Sequence, residues 1–207
     1  MKKLISLAPT LLSALGGLLL IASPAAAQAY KAEVDKPAFE ALLSPDIRLA
    51  VNKNFRPKEW LEMEVEFELD ARPLPVDGYI DRCTVQWYAA IKKRDGNGFW
   101  LLSKNVDHVN IKIGEKYFSS VYLSPSTYER LTGSERVNKG DIEAVGGIIL
   151  VNGIQAGQFS SKNLGAAPWW QSPSLARTEK FTLLNKDESP FAPYWYDRYA
   201  EIAAERR

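Results

Sequence analysis

The sequence predicts a mainly β protein folded as an antiparallel β-sandwich. Roughly seven to nine segments alternate apolar and polar residues with a period of two, which is typical of half-buried strands. Turn residues recur about every ten positions, and only two segments have the pattern of a short helix. A parallel sheet needs helical crossovers between its strands, so these observations favour antiparallel strands in two packed sheets.

The N-terminal 27 residues have the pattern of an export signal. Two lysines precede an apolar run from Leu4 to Ile21, and small residues follow up to Ala27. A retained membrane helix is the alternative, because about 18 apolar residues nearly span a bilayer. A proline and two glycines interrupt the run, which favours a signal peptide cleaved after Ala27 or, as the second choice, after Ala29. We therefore expect residues 28–207 to be a single exported domain, in the periplasm, on the outer surface or secreted, with no remaining membrane segment.

The charge balance and the cysteine content limit the partners and the chemistry. Lys and Arg number 26 and Asp and Glu number 25, so no net field attracts nucleic acid or an anionic membrane, and we expect neither partner. Cys83 is the only cysteine, so the domain depends on its hydrophobic core and not on internal disulfides. Its place on the apolar face of a strand predicts a buried thiol, with an intermolecular disulfide as the alternative.

The strand that organises the chain is predicted from Trp60 to Asp70. Apolar residues alternate with glutamates at positions 62, 64, 66 and 68, which gives one face for burial and one carboxylate row for water. A calcium face is the alternative for this row. Before this strand, we expect a leader segment over Ala29 to Ser44 with at most a turn or two of helix, and a first strand over Ile47 to Asn52.

Two hairpins are predicted next. Ile80 to Lys92 alternates with Cys83 and Trp87 on its apolar face, and a loop rich in Gly and Asn separates it from Phe99 to Leu102. Val106 to Ile113 and Lys116 to Leu123 alternate more loosely around Gly114-Glu115, which suggests a second hairpin.

A short helix and a third hairpin follow. Ser124 to Leu131 has a capping serine, a proline at the first helical position and Gly133 just beyond its end. Asp141 to Val151 and Ile154 to Ser160 flank Asn152-Gly153, the strongest hairpin signal in the chain. Gly146-Gly147 indicates a bulge or a close strand approach and not a phosphate-binding loop.

The C-terminal third contains the aromatic residues that could form an interaction surface. We expect a long loop over Asn163 to Ser174, a last strand over Thr178 to Leu184 and an amphipathic helix of about ten residues within Tyr194 to Arg207. Aromatic side chains are enriched where proteins contact sugars or other proteins, and the alternative is that they pack onto their own domain. The candidate residues are Trp169, Trp170, Tyr194 and Trp195.

No catalytic or cofactor-binding set is apparent in the sequence. His108 is the only histidine, and no Gly-x-Ser-x-Gly motif accompanies it. One His and one Cys at 25 positions' separation lack the paired spacing of a zinc site. We therefore expect no catalytic residue, no cofactor and no metal. An enzyme built on two distant carboxylates, as in glycosidases, remains the third alternative.

The stretches V-Q-W-Y-A-A-I-K at 85–92 and G-G-I-I-L-V-N-G at 146–153, together with the export signal, resemble the small exported pilus-like proteins of Verrucomicrobia, of the Akkermansia type. The resemblance implies an immunoglobulin-like sandwich related to archaeal type IV pilus components. Two departures stand out. A single cysteine cannot form the cross-sheet disulfide of antibody domains, and the N-terminus lacks the cleavage point of a bacterial type IV prepilin.

The leading hypothesis is a non-enzymatic, pilus-like or surface-assembly subunit of the cell envelope whose strand edges or aromatic loop contact other proteins, because the sequence predicts an exported β-sandwich without catalytic residues. Its partners are then other envelope or pilus-like proteins, or further copies of itself. The alternative is a periplasmic or secreted glycan-binding module that uses Trp169, Trp170 and Trp195.

Overall fold

A computed structural model of the protein describes residues 29–46, 54–165 and 167–204. Within these residues, two five-stranded sheets pack face to face around one hydrophobic core. The elements in chain order are β1 (Ala29–Val34), β2 (Ala38–Leu43), β3 (Glu59–Arg72), β4 (Tyr79–Lys92), β5 (Phe99–Lys112), β6 (Lys116–Leu123), α1 (Pro125–Thr132), β7 (Ile142–Val151), β8 (Ile154–Ser160), β9 (Ala176–Arg177) and β10 (Leu184–Asn185). The prediction of a mainly β sandwich is confirmed at this level. The predicted signal peptide lies outside the described residues.

The first sheet has the order β1-β3-β6-β10, with β2 also paired to β3. The second sheet has the order β8-β7-β4-β5-β9. The pairings are antiparallel except for the short contact between β5 and β9, which is parallel. The sheets therefore form a sandwich with one small parallel contact at the edge of the second sheet.

Strand β3 is the centre of the first sheet, as its sequence pattern predicts. Its apolar side chains are buried in the core from Leu61 to Leu69. The expected leader segment was wrong, because β1 and β2 both pair antiparallel with β3, one along each half. A fourteen-residue strand leaves a long edge of main-chain groups, and two six-residue strands interrupted at Pro37 satisfy it. The strand predicted at Ile47 to Asn52 lies outside the described residues.

The β4–β5 hairpin is confirmed and is longer than predicted. Cys83 and Trp87 lie on the buried face of β4, and β5 continues without a break through the region that was expected to form two strands. The predicted hairpin between β5 and β6 was wrong. Gly114, at a positive φ of 76°, turns the chain from the second sheet into the first, where β6 pairs with β3.

The β7–β8 hairpin is confirmed, with Asn152 and Gly153 at φ values of 51° and 79°. The expected close approach at the glycine pair is also confirmed. A Cβ atom on Gly147 would lie 2.2 Å from the Gln86 carbonyl oxygen and 2.6 Å from the Phe159 ring. The absence of a side chain here lets Phe159 pack edge-on against Trp87, with ring centroids 4.9 Å apart.

Helix α1 has the predicted boundaries. The Ser124 hydroxyl accepts a hydrogen bond from the Thr127 amide, and Gly133 ends the helix in the left-handed conformation at φ 83°. Tyr128 and Leu131 point from the helix into the core. No helix in the described part of the chain is long and apolar enough to cross a membrane.

The predictions for the C-terminus were wrong in two places. In place of a strand over Thr178 to Leu184, the structure has two short strands, β9 and β10, separated by irregular chain. In place of a terminal helix, residues 194–204 contain one 3₁₀ turn, Tyr196–Arg198, followed by extended chain. The main chain of this extended part pairs with β5 and β6, which a helix could not do.

Candidate functional site

The glutamate row of β3 binds the C-terminal segment, which comprises residues 186–204. The Arg198 guanidinium donates to both carboxylate oxygens of Glu64, at 2.6 and 2.8 Å, and the Tyr199 hydroxyl donates a short hydrogen bond to the same carboxylate. Further along the row, Lys116 donates to Glu66 at 2.6 Å. The expectation of a row free for water was therefore wrong for Glu64, and its carboxylate is held by a cation instead.

Glu62 is also enclosed by hydroxyl groups. It accepts a hydrogen bond from the Tyr122 hydroxyl at 2.7 Å, and the Tyr199 hydroxyl lies 3.4 Å away. Burial raises the pKa of the Glu62 carboxyl above its ordinary value, although the hydrogen bond from Tyr122 acts in the opposite direction. Among the described residues, no group of three or more His, Cys, Asp or Glu side chains is placed to hold a metal ion.

Aromatic packing holds the C-terminal segment over the outer face of the first sheet. The Phe191 ring stacks on Tyr122, with centroids 5.2 Å apart, and meets the edge of Trp60 at 6.0 Å. The Arg198 guanidinium carbon lies 3.5 Å from the centroid of the Phe118 ring, a close cation–π contact. The segment is therefore bound by stacked rings as well as by ion pairs.

Lys186 is a buried cation within the same segment. Its ammonium donates to the Ala192 carbonyl at 2.9 Å and lies 4.8 Å from the centroid of the Tyr199 ring. Burial lowers the pKa of this ammonium below its ordinary value. The Lys186 ammonium is therefore paired within the C-terminal segment, and its hydrogen bond to Ala192 holds the turn around Phe191.

The last part of the C-terminal segment runs between the open edges of the two sheets. We call this place the seam, formed by residues 107–109 of β5 and Phe118 of β6. The Val109 amide donates to the Glu201 carbonyl at 2.9 Å, and the Ala203 amide donates to the Asp107 carbonyl at 2.8 Å. On the other side, the Ala200 amide donates to the Phe118 carbonyl at 3.0 Å. The segment therefore joins the second sheet to the first through main-chain hydrogen bonds.

His108 lies at the bottom of the seam and is fully buried. Its Nδ1 atom is 3.1 Å from the Ala200 carbonyl oxygen, and its Nε2 atom is 2.9 Å from the Ser119 hydroxyl, which also accepts from the Trp87 indole at 3.2 Å. A carbonyl can only accept, so Nδ1 carries the proton and Nε2 accepts from Ser119. Burial lowers the pKa of His108 to about 4, and the ring is neutral at pH 7.

Cys83 lies directly opposite His108 in the pairing of β4 with β5. Cys83 and His108 are the two residue types of a Cys-His catalytic dyad, but both are buried, whereas a dyad must be accessible to a substrate. Burial raises the pKa of the Cys83 thiol to about 12, and neither side chain reaches solvent. The sequence separation of 25 residues gave no hint of this contact, which depends on the register of the hairpin. Both residues have a structural role in the core.

The four candidate interaction residues do not form one surface. Trp170 is 2% exposed and stacks on Tyr88 over the outer face of the second sheet, with centroids 5.2 Å apart, and Trp169 donates to the Ser160 hydroxyl beside it. Tyr194 and Trp195 belong to the C-terminal segment, which covers the first sheet. The structure therefore separates the two pairs, and only Trp195 is largely exposed, at 57%.

A surface that the sequence analysis missed lies in the loop between β3 and β4. Leu74 and Val76 in this loop and Tyr79, the first residue of β4, are large and exposed, and we call the three residues the apolar loop. The loop lies at the end of the sandwich where β1 begins, because Ala29 pairs with Arg72. The stretch P-L-P-V-D-G at 73–78 has the composition of a turn, and its Leu and Val are the sequence signal for an exposed apolar surface.

A groove of about 430 Å³ lies between the C-terminal segment and the ends of β5 and β6. Its lining combines aromatic and polar groups, among them Asn110, Lys186, Tyr196, Asp197 and Glu201. The Asn110 amide donates to the Glu201 carboxylate at 2.9 Å across one side of the groove.

The fold and these contacts define a class: a β-sandwich protein whose C-terminal segment covers one sheet and closes the seam between both. Comparison with known proteins shows the family of the chain. A family model matches residues 23–206. A crystal structure of a protein from Akkermansia muciniphila has 34% sequence identity to this chain and a TM-score of 0.79, and the match covers 87% of this chain and 96% of that one. The chain belongs to the same family as this Akkermansia muciniphila protein. A search of curated proteins finds no match.

Proposed function

We propose that the protein is a non-enzymatic, exported subunit of the cell envelope, of the pilus-like type with an immunoglobulin-like sandwich, and that it acts through contacts with other proteins. Family membership supports the proposal, as does the sequence resemblance to exported pilus-like proteins. The main structural observation in favour of this proposal is the apolar loop.

The apolar loop has the properties of a protein contact. Val76 is fully exposed and Leu74 is 64% exposed, at the end of a sandwich whose other large side chains are mostly buried. Burial of apolar surface stabilises a complex by about 25 cal/mol per Å² before the costs of association. Two neighbouring exposed apolar side chains at a loop tip give a partner a compact apolar surface to cover.

The roles of the ionisable groups support a non-enzymatic function. Glu62 and Glu64 hold the C-terminal segment, and His108 and Cys83 lie inside the core. Glu62, Glu64 and His108 each have a hydrogen-bond partner within the fold that accounts for their position. A general base needs access to a substrate proton, and the buried His108 lacks that access.

Export is proposed from the sequence of Met1 to Ala27. Strand β1 begins at Ala29, so cleavage after Ala27 keeps the whole strand, whereas cleavage after Ala29 removes the residue that pairs with Arg72. We propose cleavage after Ala27. The intact mass of the protein recovered from the cell envelope or the medium should correspond to a chain that begins at Gln28, and a mass that includes the apolar run would contradict export by cleavage.

The proposed function is tested by association of the mature protein. Native mass spectrometry and chemical cross-linking of envelope fractions should capture the protein with itself or with an envelope protein. The double variant Leu74→Ser and Val76→Ser should lose the complexes with other envelope proteins, whereas Leu43→Ser, a matched change of an exposed leucine on β2, should keep them. A wild-type protein that is strictly monomeric and binds no envelope component would contradict the proposal.

Glycan binding is the second candidate function, favoured by the groove beside the C-terminal segment. Tyr196 is 67% exposed at its rim, and polar side chains line its wall, so the groove offers a sugar both a ring to stack on and groups to hydrogen-bond with. Trp169 and Trp170 lie over the other sheet and do not contribute. A glycan array should then show a ligand whose binding Tyr196→Ala abolishes and Tyr79→Ala leaves intact. An array without a binder above background would end this alternative.

A further inference from the structure

We propose that the C-terminal tail, residues 198–204, exchanges between copies of the chain, so that the seam of one copy receives the tail of another. The inference deepens the proposed function, on which it rests, by naming a second copy as a partner and the seam as the place of contact. It concerns a different surface from the apolar loop.

The seam recognises the tail through main-chain groups and small side chains. The bonds of Ala200, Glu201 and Ala203 to β5 and β6 are those of an added strand, and they are independent of the copy that supplies the tail. Isolated bridges of His108 with Ile202 and of Phe118 with Tyr199 fix the register. Without a tail, the Val109 amide, the Phe118 carbonyl and the His108 ring would each lose a partner. The seam therefore requires a tail, and any copy can supply one.

The tail has its own anchors, separate from those of the preceding chain. Arg198 and Tyr199 bind Glu64 on the far side of a hinge, defined as residues 193–197. On the near side, Phe191 stacks on Tyr122, and Glu188 accepts from Lys104 at 2.8 Å. The tail can therefore leave while Phe191 and Glu188 stay in place, and the contact of the Lys186 ammonium with the Tyr199 ring is broken and re-formed with the incoming tail.

The hinge stores strain in the closed arrangement. Trp195 is at φ 51° and ψ 31°, the left-handed region, which costs a residue with a side chain roughly a factor of five or more in population. Trp195 and Tyr196 are also exposed in this arrangement. An extended hinge relieves the strain, and its five residues reach about 17 Å, enough to enter a neighbouring copy in direct contact.

In an exchanged pair, the tail makes the same hydrogen bonds to the seam as in a single copy. Only the conformation of the hinge changes, together with the entropy lost when two copies associate. Such an exchange of identical elements is a low-cost route to self-association. Two copies that exchange tails reciprocally form a closed pair. Copies that each donate to the next form an open chain, which is the arrangement that a surface fibre needs.

Disulfide trapping tests the exchange directly. In a Cys83→Ala background, one preparation carries Val109→Cys in the seam and another carries Glu201→Cys in the tail, positions that face each other in the register of the His108–Ile202 bridge. After mixing in a glutathione redox buffer, we expect about tenfold more disulfide-linked heterodimer than in a control mixture of Glu201→Cys with Ser103→Cys, an exposed position of β5 away from the seam. Equal yields in both mixtures would overturn the exchange.

A second variant tests the hinge. Trp195→Gly removes the strain of the closed arrangement, so it should lower the yield of the Val109–Glu201 heterodimer about fivefold. An unchanged or higher yield would contradict the role assigned to the hinge strain and, with it, the proposed driving force for exchange.

The single-chain combination of Val109→Cys with Glu201→Cys separates the exchange from the proposed function. Once oxidised within one copy, it holds the tail closed. If the locked protein associates with itself as the wild type does, self-association uses another surface, and the exchange is wrong while the proposed function stands. If locking abolishes self-association and reduction restores it, the exchange is supported. If the wild type itself forms no complex, the proposed function fails, and the exchange with it.

Discussion

At the scale of a residue, the position of Cys83 on the buried face of β4 determines the reactivity of its thiol. The thiol is fully buried, and its pKa is raised to about 12 by that burial. We predict that a thiol reagent labels it only after denaturation. In urea unfolding, Cys83→Ser should lower the free energy of unfolding by roughly 1 to 3 kcal/mol, because it buries a hydroxyl without an assured partner, and Cys83→Ala should cost no more than Ser.

Rapid labelling of native Cys83, or a spontaneous disulfide-linked dimer of the wild type, would contradict this prediction. Either result would place the thiol on a surface and would reverse the faces of β4, because a shift of one residue exchanges the two faces of a strand.

Ser119 is the shared partner of two buried groups, the Trp87 indole and the His108 ring. We predict that Ser119→Ala lowers the free energy of unfolding by about 2 to 4 kcal/mol, since it leaves the Trp87 indole N–H and the Nε2 atom of His108 without a partner. The matched control is Ser103→Ala, at an exposed position of β5, which should stay within about 0.5 kcal/mol of the wild type. Similar losses for the two variants in urea unfolding would show that the buried network contributes little.

At the scale of an element, the C-terminal segment is predicted to be held chiefly by its aromatic anchor. Phe191 is buried between Tyr122 and Trp60, so Phe191→Ala should lower the free energy of unfolding by about 3 kcal/mol. Tyr196→Ala, at an exposed position of the same segment, should have an effect below about 0.5 kcal/mol. Limited proteolysis should cut the segment early in the Phe191→Ala variant, and equal resistance of the two variants would count against the anchor.

The packing of β7 on β4 gives a prediction for a single methyl group. Gly147→Ala brings a Cβ atom within 2.2 Å of the Gln86 carbonyl, so main chain must move apart. The cost should be at least about 2 kcal/mol in the free energy of unfolding. Gly165→Ala is the control, because a Cβ atom there meets no atom within 4 Å. If Gly147→Ala melts at the wild-type temperature, the strands are not as close as described.

At the scale of the whole molecule, His108 makes stability depend on pH. Its ordinary pKa of 6.5 falls to about 4 in the folded protein, so the unfolded chain binds more protons between these values. Stability should therefore rise with pH from about 4 to about 6.5, and on the order of 3 kcal/mol should be lost as the pH falls through this window. The measurement is urea unfolding across the window for the wild type and for His108→Gln. The difference between the two profiles isolates the imidazole, and parallel profiles would contradict its role.

Much of the fold follows from local patterns in the sequence. The alternation over β3 and β4 identifies both strands and their buried faces, because a period of two is a property of the strand itself. Asn152-Gly153 fixes the β7–β8 hairpin for the same kind of reason, since the tight turn needs positive φ at both positions. The capping serine and the terminal glycine of α1 are equally local.

Only the tertiary structure decided which strands pair and what the C-terminus does. The alternation of β6 is the same beside β5 as beside β3, so the pattern could not say that it joins the first sheet. The apolar and polar residues of the C-terminus suit a helix, yet the open edges of β5 and β6 take its main chain as a strand. Likewise, the glutamate row reads as a solvated face until Arg198, far along the chain, pairs with Glu64. Faces and turns depend on neighbours in sequence, whereas pairing and coverage depend on unsatisfied groups that are distant in sequence and meet only in the folded chain.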